Sequence, residues 1–230
     1  EQIGSAVEQW SNQRDFERDE VKYIFVSWHI IHASNGQGNY GDDVAIAAID
    51  ELNDMFFSHN VVFQIDTIAR TENDDWFGDW YDQSWQATQE LSIDPFNNMN
   101  VYTANLFASG VAGFSYLASQ FPAGDGRHSV NVDYRDLSPG QDVLTHEVGH
   151  HLGLPHTFSG SCNVDGDGID DTPRHLDSQL WNCNENLDSC PNDEGNDPVH
   201  NYMTYTSGSC RYEFTAGQED YMHYCIANYH

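Results

Sequence analysis

Residues 142–158 read DVLTHEVGHHLGLPHTF, and within them four histidines and one glutamate fall inside eleven residues of a chain whose lysines and arginines total 8. His146 and His150 are four apart, so on a helix they stand one turn above each other on a single face. Two imidazoles so placed can share one zinc ion, and Glu147, one residue on, projects beside the metal as a base. Gly153 is a natural helix stop, because a residue without Cβ can turn the chain in a left-handed conformation. That turn would bring His156 back as a third ligand. His151 lies about 100° round the helix from His150 and reads as a neighbour.

A lone histidine is more often packed than functional. The whole pattern HExxHxxGxxH, however, arises by chance in this composition with a probability on the order of one in ten thousand. Three neutral imidazoles would leave a fourth position on zinc for water and keep the ion's full double charge. Such an ion acidifies water and polarises a carbonyl, while Glu147 takes the proton and hands it to the leaving amine. The chemistry expected is hydrolysis of a peptide bond without a covalent enzyme intermediate.

The elements that must position these groups are legible upstream. VKYIFVSWHII (21–31) is apolar on both faces, as a central strand is. The stretch 41–60 spaces Ala45, Ile46, Ile49, Leu52, Met55 and Phe56 as one face of a helix, with Asp42 or Asp43 near its start. Strands are expected at 61–69, 100–108 and 128–134. The stretch 71–90 mixes carboxylates with Trp76, Trp80 and Trp85; it reads as a sugar or calcium platform or, better, as an acidic excursion whose aromatics pack on the core. Helix is expected over 141–152 and again within 214–229. From Thr157 onward Gly, Asn, Asp, Ser and Cys dominate.

At 230 residues and with 39% hydrophobic residues, the chain suits one domain with a real core. A net charge of −29, with Lys22 as the lone lysine, argues against a nucleic-acid partner and against adsorption to anionic lipid. It fits a salt- or calcium-rich medium or simply a secreted protein of low pI. No apolar run approaches a membrane span. The chain opens at Glu1, as a trimmed form would. Its 5 cysteines, Cys162, Cys183, Cys190, Cys210 and Cys225, crowd the last third without a two-residue CxxC spacing, so disulfides in an oxidising compartment are expected. Five cysteines allow fifteen ways of forming two bridges.

HEVGHHLGLPH resembles the extended zinc signature of the metzincin endopeptidases, and NYMTY (201–205) is similar to their methionine turn. HTF after the third histidine, DDTP (170–173), DPVHNYMTY (197–205), a cysteine five residues past Tyr205, FTAGQ (214–218) and VAGFSYLA (111–118) resemble the pappalysin family in particular. The resemblance implies a metzincin-like zincin of α+β or α/β class: a twisted mixed sheet with a backing helix and an active-site helix, and a small, irregular, disulfide-stapled C-terminal lobe ending in a helix. It implies one catalytic domain, 1–230, with an upper lobe 1–153 and a lower lobe 154–230. His146, His150 and His156 would hold zinc, Glu147 would be the base, Met203 would pack beneath the metal, and Tyr205 would stabilise the oxyanion. Substrate would add as a strand to the edge at Gly113, Phe114, Ser115 and Tyr116.

The resemblance further implies the disulfides Cys162–Cys190 and Cys183–Cys210, with Cys225 free, buried or paired elsewhere, a buried thiol being favoured. It implies a structural calcium at Asp167, Asp170 and Thr172, with Asp171 a possible fourth ligand, although a solvated aspartate cluster remains an alternative. The same segment imitates an EF-hand opening at Asn163, Asp165, Asp167 and Gly168, but Arg174 stands where that loop needs a closing carboxylate. No carboxylate precedes Cys210 in the wall carrying Ser209 and Arg211, so a preference for basic residues after the scissile bond is not supported. The expected protein is a secreted, monomeric zinc endopeptidase acting on proteins or peptides. The intact Glu147 weighs against a metal-stabilised adhesion module, and the long cleft weighs against hydrolysis of a non-peptide amide.

Overall fold

The computed structural model describes residue 10 and residues 20–163, 166–177 and 183–229. Five strands, β1 (Lys22–His32), β2 (Val61–Glu72), β3 (Asn98–Ala104), β4 (Gly113–Ser115) and β5 (Ser129–Asp133), form one sheet in the order β2-β1-β3-β5-β4. All neighbours are parallel except β4, which runs antiparallel to β5 and ends the sheet. β1 is buried almost throughout because helices cover both faces, which is why its sequence is apolar without alternation.

On one face, Ile24, Val26, Trp28 and Ile30 pack with helix α1 (Asp42–Phe56) and with α4 (Val143–His151), the helix that carries His146 and His150. On the other face, Ile31, Tyr102 and Ala104 pack with Phe77, Trp80 and Ala87 of α2 (Asp74–Gly78) and α3 (Trp80–Leu91). Each such side chain taken fully out of water contributes roughly 1.5–3 kcal/mol, so the apolar faces suffice to hold this sandwich. The last helix, α5 (Ala216–Tyr229), joins the first cluster through Tyr221, Met222 and Tyr224.

Several sequence expectations are corrected. The strand expected over 100–108 stops at Ala104, and a 3-10 turn follows at Leu106–Ser109, because Leu106 turns inward while Phe107 N–H is taken by the Asp133 carboxylate at 2.8 Å. The edge strand expected in 111–118 is confined to Gly113–Ser115. Within the acidic stretch 71–90, Thr71 and Glu72 end β2 and the rest forms the two helices α2 and α3, the first capped by Asn73, whose side chain accepts the Trp76 N–H at 2.9 Å. Of its tryptophans, Trp80 is fully buried as expected, whereas Trp85 is half exposed.

The segment 154–215 has turns, a 3-10 turn at Gly208–Cys210 and no long strand or α-helix among its described residues. Disulfides join Cys162 to Cys190 and Cys183 to Cys210, and Cys225 is a buried free thiol whose acidity burial suppresses to a pKa of about 12. Asp165 of the EF-hand-like opening lies outside the described residues, as do residues 1–9 of the upper lobe.

Candidate metal centre and catalytic cleft

The active helix α4 ends as a glycine permits. Gly153 has φ +102°, its N–H donates to His150 O and the Leu154 N–H donates to Gly149 O, both at 2.9 Å. A Cβ at Gly153 would also strike Cys225 Sγ. The reversal returns His156 to the helix, with its Nε2 at 3.1 Å from His146 Nε2 and 3.0 Å from His150 Nε2.

His146 Nδ1 donates to Tyr202 O and His150 Nδ1 donates to Leu154 O, each at 2.7 Å. Those bonds place the ring protons on Nδ1 and leave the Nε2 lone pairs facing inward. Lone pairs directed at one another this closely repel unless a cation sits between them. Zinc–nitrogen bonds of about 2.0–2.1 Å in a tetrahedron set ligand nitrogens about 3.3 Å apart, close to the spacing found here. Among the described residues, these histidines form the one group of three or more His, Cys, Asp or Glu side chains whose ligand atoms lie within 4.8 Å of one another. Burial holds all three imidazoles neutral: His146 well below its usual range, His150 at about 4 and, with His150's help, His156 at about 3. The donor set therefore fits zinc.

Glu147 is buried beside them, and burial raises its carboxyl to about 8, against the pull of Arg211. Its Oε2 has no hydrogen-bond partner. The end strand runs directly over it, so that a Cβ at Gly113 would lie 2.7 Å from Glu147 Cγ and 2.9 Å from Oε1. Only glycine lets the edge strand and this carboxyl approach so closely. Phe114 and Ser115 continue the edge, and Tyr116 follows it.

Beneath the helix, Met203 is fully buried, and a Cβ at Gly149 would strike its Sδ. Met203 N–H donates to Asn201 Oδ1 (2.9 Å), and the Asn201 and Gln218 amides pair reciprocally, Nδ2 to Oε1 at 2.7 Å and Nε2 to Oδ1 at 3.1 Å. The FTAGQ stretch is thus a brace for the methionine turn. Tyr205, 40% exposed, packs edge-on to His156 with ring centroids 4.6 Å apart. Burial raises its phenol pKa, and the nearby Glu147 adds to the rise.

Arg211 was read from sequence only as part of a pocket wall. Its Nε and Nη2 grip Asp142 at 2.6 and 2.5 Å, and Nη1 donates to Thr204 O at 2.7 Å. The pair bolts the residue before the active helix to the residue before Tyr205. No local pattern announces the pair, whose members lie 69 residues apart.

Of the aspartates expected to hold calcium, Asp167 is buried, which lifts its carboxyl to about 7, and Thr172 is buried nearby in sequence. The Asp171 carboxylate accepts the Thr215 hydroxyl at 2.7 Å and the Gly217 N–H at 2.8 Å, serving the start of α5.

A buried three-histidine centre, a neighbouring carboxyl and a methionine turn below a mixed sheet define a zinc-dependent metalloendopeptidase of metzincin type. The chain belongs to the peptidase family described as pregnancy-associated plasma protein-A, whose family model matches residues 82–227. It is 32% identical over 213 residues to an extracellular metalloprotease of Verticillium alfalfae, covering 87% of this chain and 74% of that protein. An extracellular metalloprotease of Pyricularia oryzae is also 32% identical, over 215 residues, with the same coverage. Among solved structures, promirolysin of Tannerella forsythia superposes with a TM-score of 0.75 at 22% identity, over 98% of this chain and 89% of that one. Mature mirolysin with a cleaved peptide gives 0.71 at 24%, over 88% and 90%. Those two likenesses establish the fold.

Proposed function

We propose that the chain is a secreted endopeptidase of proteins in which His146, His150 and His156 hold the zinc, Glu147 is the general base and acid, and Tyr205 donates to the oxyanion. The convergence of three inward-facing Nε2 atoms beside an unsatisfied buried carboxyl is the observation that carries this reading. Bound there, zinc supplies a Lewis acid that polarises the scissile carbonyl and makes water acidic. A peptide strand lies along the edge Gly113–Tyr116, which brings its carbonyl over Glu147. Glu147 takes a proton from the attacking water and delivers it to the leaving amine nitrogen. A doubly charged ion close by would favour the carboxylate that burial opposes, readying it as a base. Tyr205 reaches across from the lower lobe to the developing negative oxygen.

Extracellular relatives and two disulfides support secretion. The lobes meet at the site: His146, His150 and Glu147 belong to the upper lobe, 1–153, and His156, Met203 and Tyr205 to the lower, 154–230. One catalytic domain acting as a monomer accounts for all of them. Calcium at Asp167, Asp170 and Thr172 would offset the cost of the buried Asp167 carboxylate, with Asp171 already engaged. Its test is a rise in melting temperature on adding calcium that Asp167→Asn removes.

Metal analysis and casein digestion with wild type and Glu147→Ala test the main reading. One zinc per chain in both is expected, with proteolysis reduced at least about 100-fold in the variant. Undiminished digestion by Glu147→Ala would overturn the role of the base. No observation favours an adhesion module.

A further inference from the structure

Helix α3 does more than cover the sheet. Tyr81 and Trp85, four residues apart on one face, are 47% and 50% exposed. Tyr81 meets Phe114 with ring centroids 5.2 Å apart at 78°, and Phe114 meets Tyr116 at 6.3 Å and 81°. Trp85 meets Tyr116 at 6.3 Å and 81°, and Tyr116 meets Phe121 at 5.1 Å and 88°. Five rings from α3, the edge strand and the loop after it make a continuous herringbone. The Arg127 guanidinium lies 4.3 Å from the Trp85 ring centroid and is itself paired with Asp125, so the patch is close to neutral on a chain of net charge −29.

Two physical features decide what such a patch receives. Rings at near right angles offer faces beside edges, which suits a side chain entering between them. A flat sugar stacks best on a broad exposed face, and Arg127 already covers one face of Trp85. The patch is also continuous with β4, whose outer edge pairs with no strand among the described residues. At Gly113 that strand abuts Glu147, whereas Phe114 and Tyr116 meet the rings of α3. A peptide added to this edge alternates in the same way, one set of side chains towards the histidines and the other towards the rings. Tyr116 is three residues beyond Gly113, about 10 Å along an extended strand.

We propose that this aromatic patch is a substrate subsite that takes an apolar or aromatic side chain two to four residues from the scissile bond. The subsite rests on the endopeptidase reading and specifies which polypeptides that site prefers. An acidic residue at the same place meets a strongly negative protein and is disfavoured.

The test starts from a peptide that the wild type cleaves at a single bond and that lacks aromatic residues near it. Phenylalanine is then placed singly at each position two to four residues away on either side. One such position should raise kcat/KM about tenfold or more. Trp85→Ala and Tyr81→Ala should each lose most of that gain, so that the ratio of kcat/KM for the phenylalanine peptide to that for the parent falls towards one. Binding of the same peptides to Glu147→Ala protein, followed by calorimetry, should show the same preference without turnover and keeps the subsite measurable even where nothing is cut. A loss of all cleavage with the binding preference intact would therefore count against the catalytic reading and not against the subsite. Equal binding of parent and phenylalanine peptides, or a preference that survives both variants, would overturn the subsite.

Discussion

The two proposed lobes are built on different physical terms. The upper lobe is a layered structure in which β1, with Trp28 and Ile30 fully buried, is covered by helices on both faces; many weak contacts share the load, and no one of them is indispensable. The lower lobe has hardly any regular layer of its own among its described residues before α5. It is held at points: two disulfides, the Asn201–Gln218 amide pair, the Asp142–Arg211 ion pair and the return of His156. A region held by points can be shaped freely round a cleft, but each point then matters.

Removing the metal should have the largest effect, because its proposed ligands come from both lobes. Chelation should abolish proteolysis, and restoring zinc at a thousand times its dissociation constant should stabilise the fold by about 4 kcal/mol, read as a rise in melting temperature. A thermal midpoint indifferent to chelator would show that the lobes do not depend on their shared ion. Next comes Arg211→Ala, which leaves the Asp142 carboxylate buried and unpaired and should cost about 3–5 kcal/mol. Here kcat should fall more than KM rises, and Arg211→Lys should recover part of it, since lysine restores the charge without the two-pronged grip. Full activity in Arg211→Ala would remove this pair from the list of points.

Replacing Cys162 and Cys190 together by serine should cost about 3 kcal/mol, seen in urea unfolding. Hydrogen exchange in that variant should quicken in the lower lobe while β1 and β3 stay protected. Uniform loss of protection would mean that the lobes unfold as one. The smallest effect belongs to the upper lobe. Burial alone would raise the Asp133 carboxyl, but bonds from Arg135, Phe107 N–H and the Arg135 N–H outweigh it and hold it below the usual range. A depressed folded-state pKa contributes stability above the unfolded value, near 4, and loses it as pH falls through the folded one. Asp133→Asn should therefore narrow the stability gap between pH 6 and pH 3 by about 1 kcal/mol.

The same contrast governs what the sequence could reveal. β1 and α1 were legible because burial on two faces leaves a nearly unbroken apolar run and burial of one stripe leaves a helical period. The histidines and Gly153 were legible because a helix and a tight reversal fix their spacing locally. The helices within 71–90 were missed because carboxylates facing solvent drown the apolar positions. β4 shrank to three residues since an edge with a single partner has little to define its ends. Arg211 and Gln218 act through contacts with Asp142 and Asn201, and no short-range pattern records such a meeting.

Gln218 enters the methionine turn from α5, fifteen residues after Met203. During synthesis His146, Glu147, His150, His156 and Met203 are therefore made before the amide that braces the floor of the proposed site. A nascent or truncated chain ending before Gln218 would carry all the catalytic residues without a finished site. The brace makes the finished site wait for the synthesis and docking of α5.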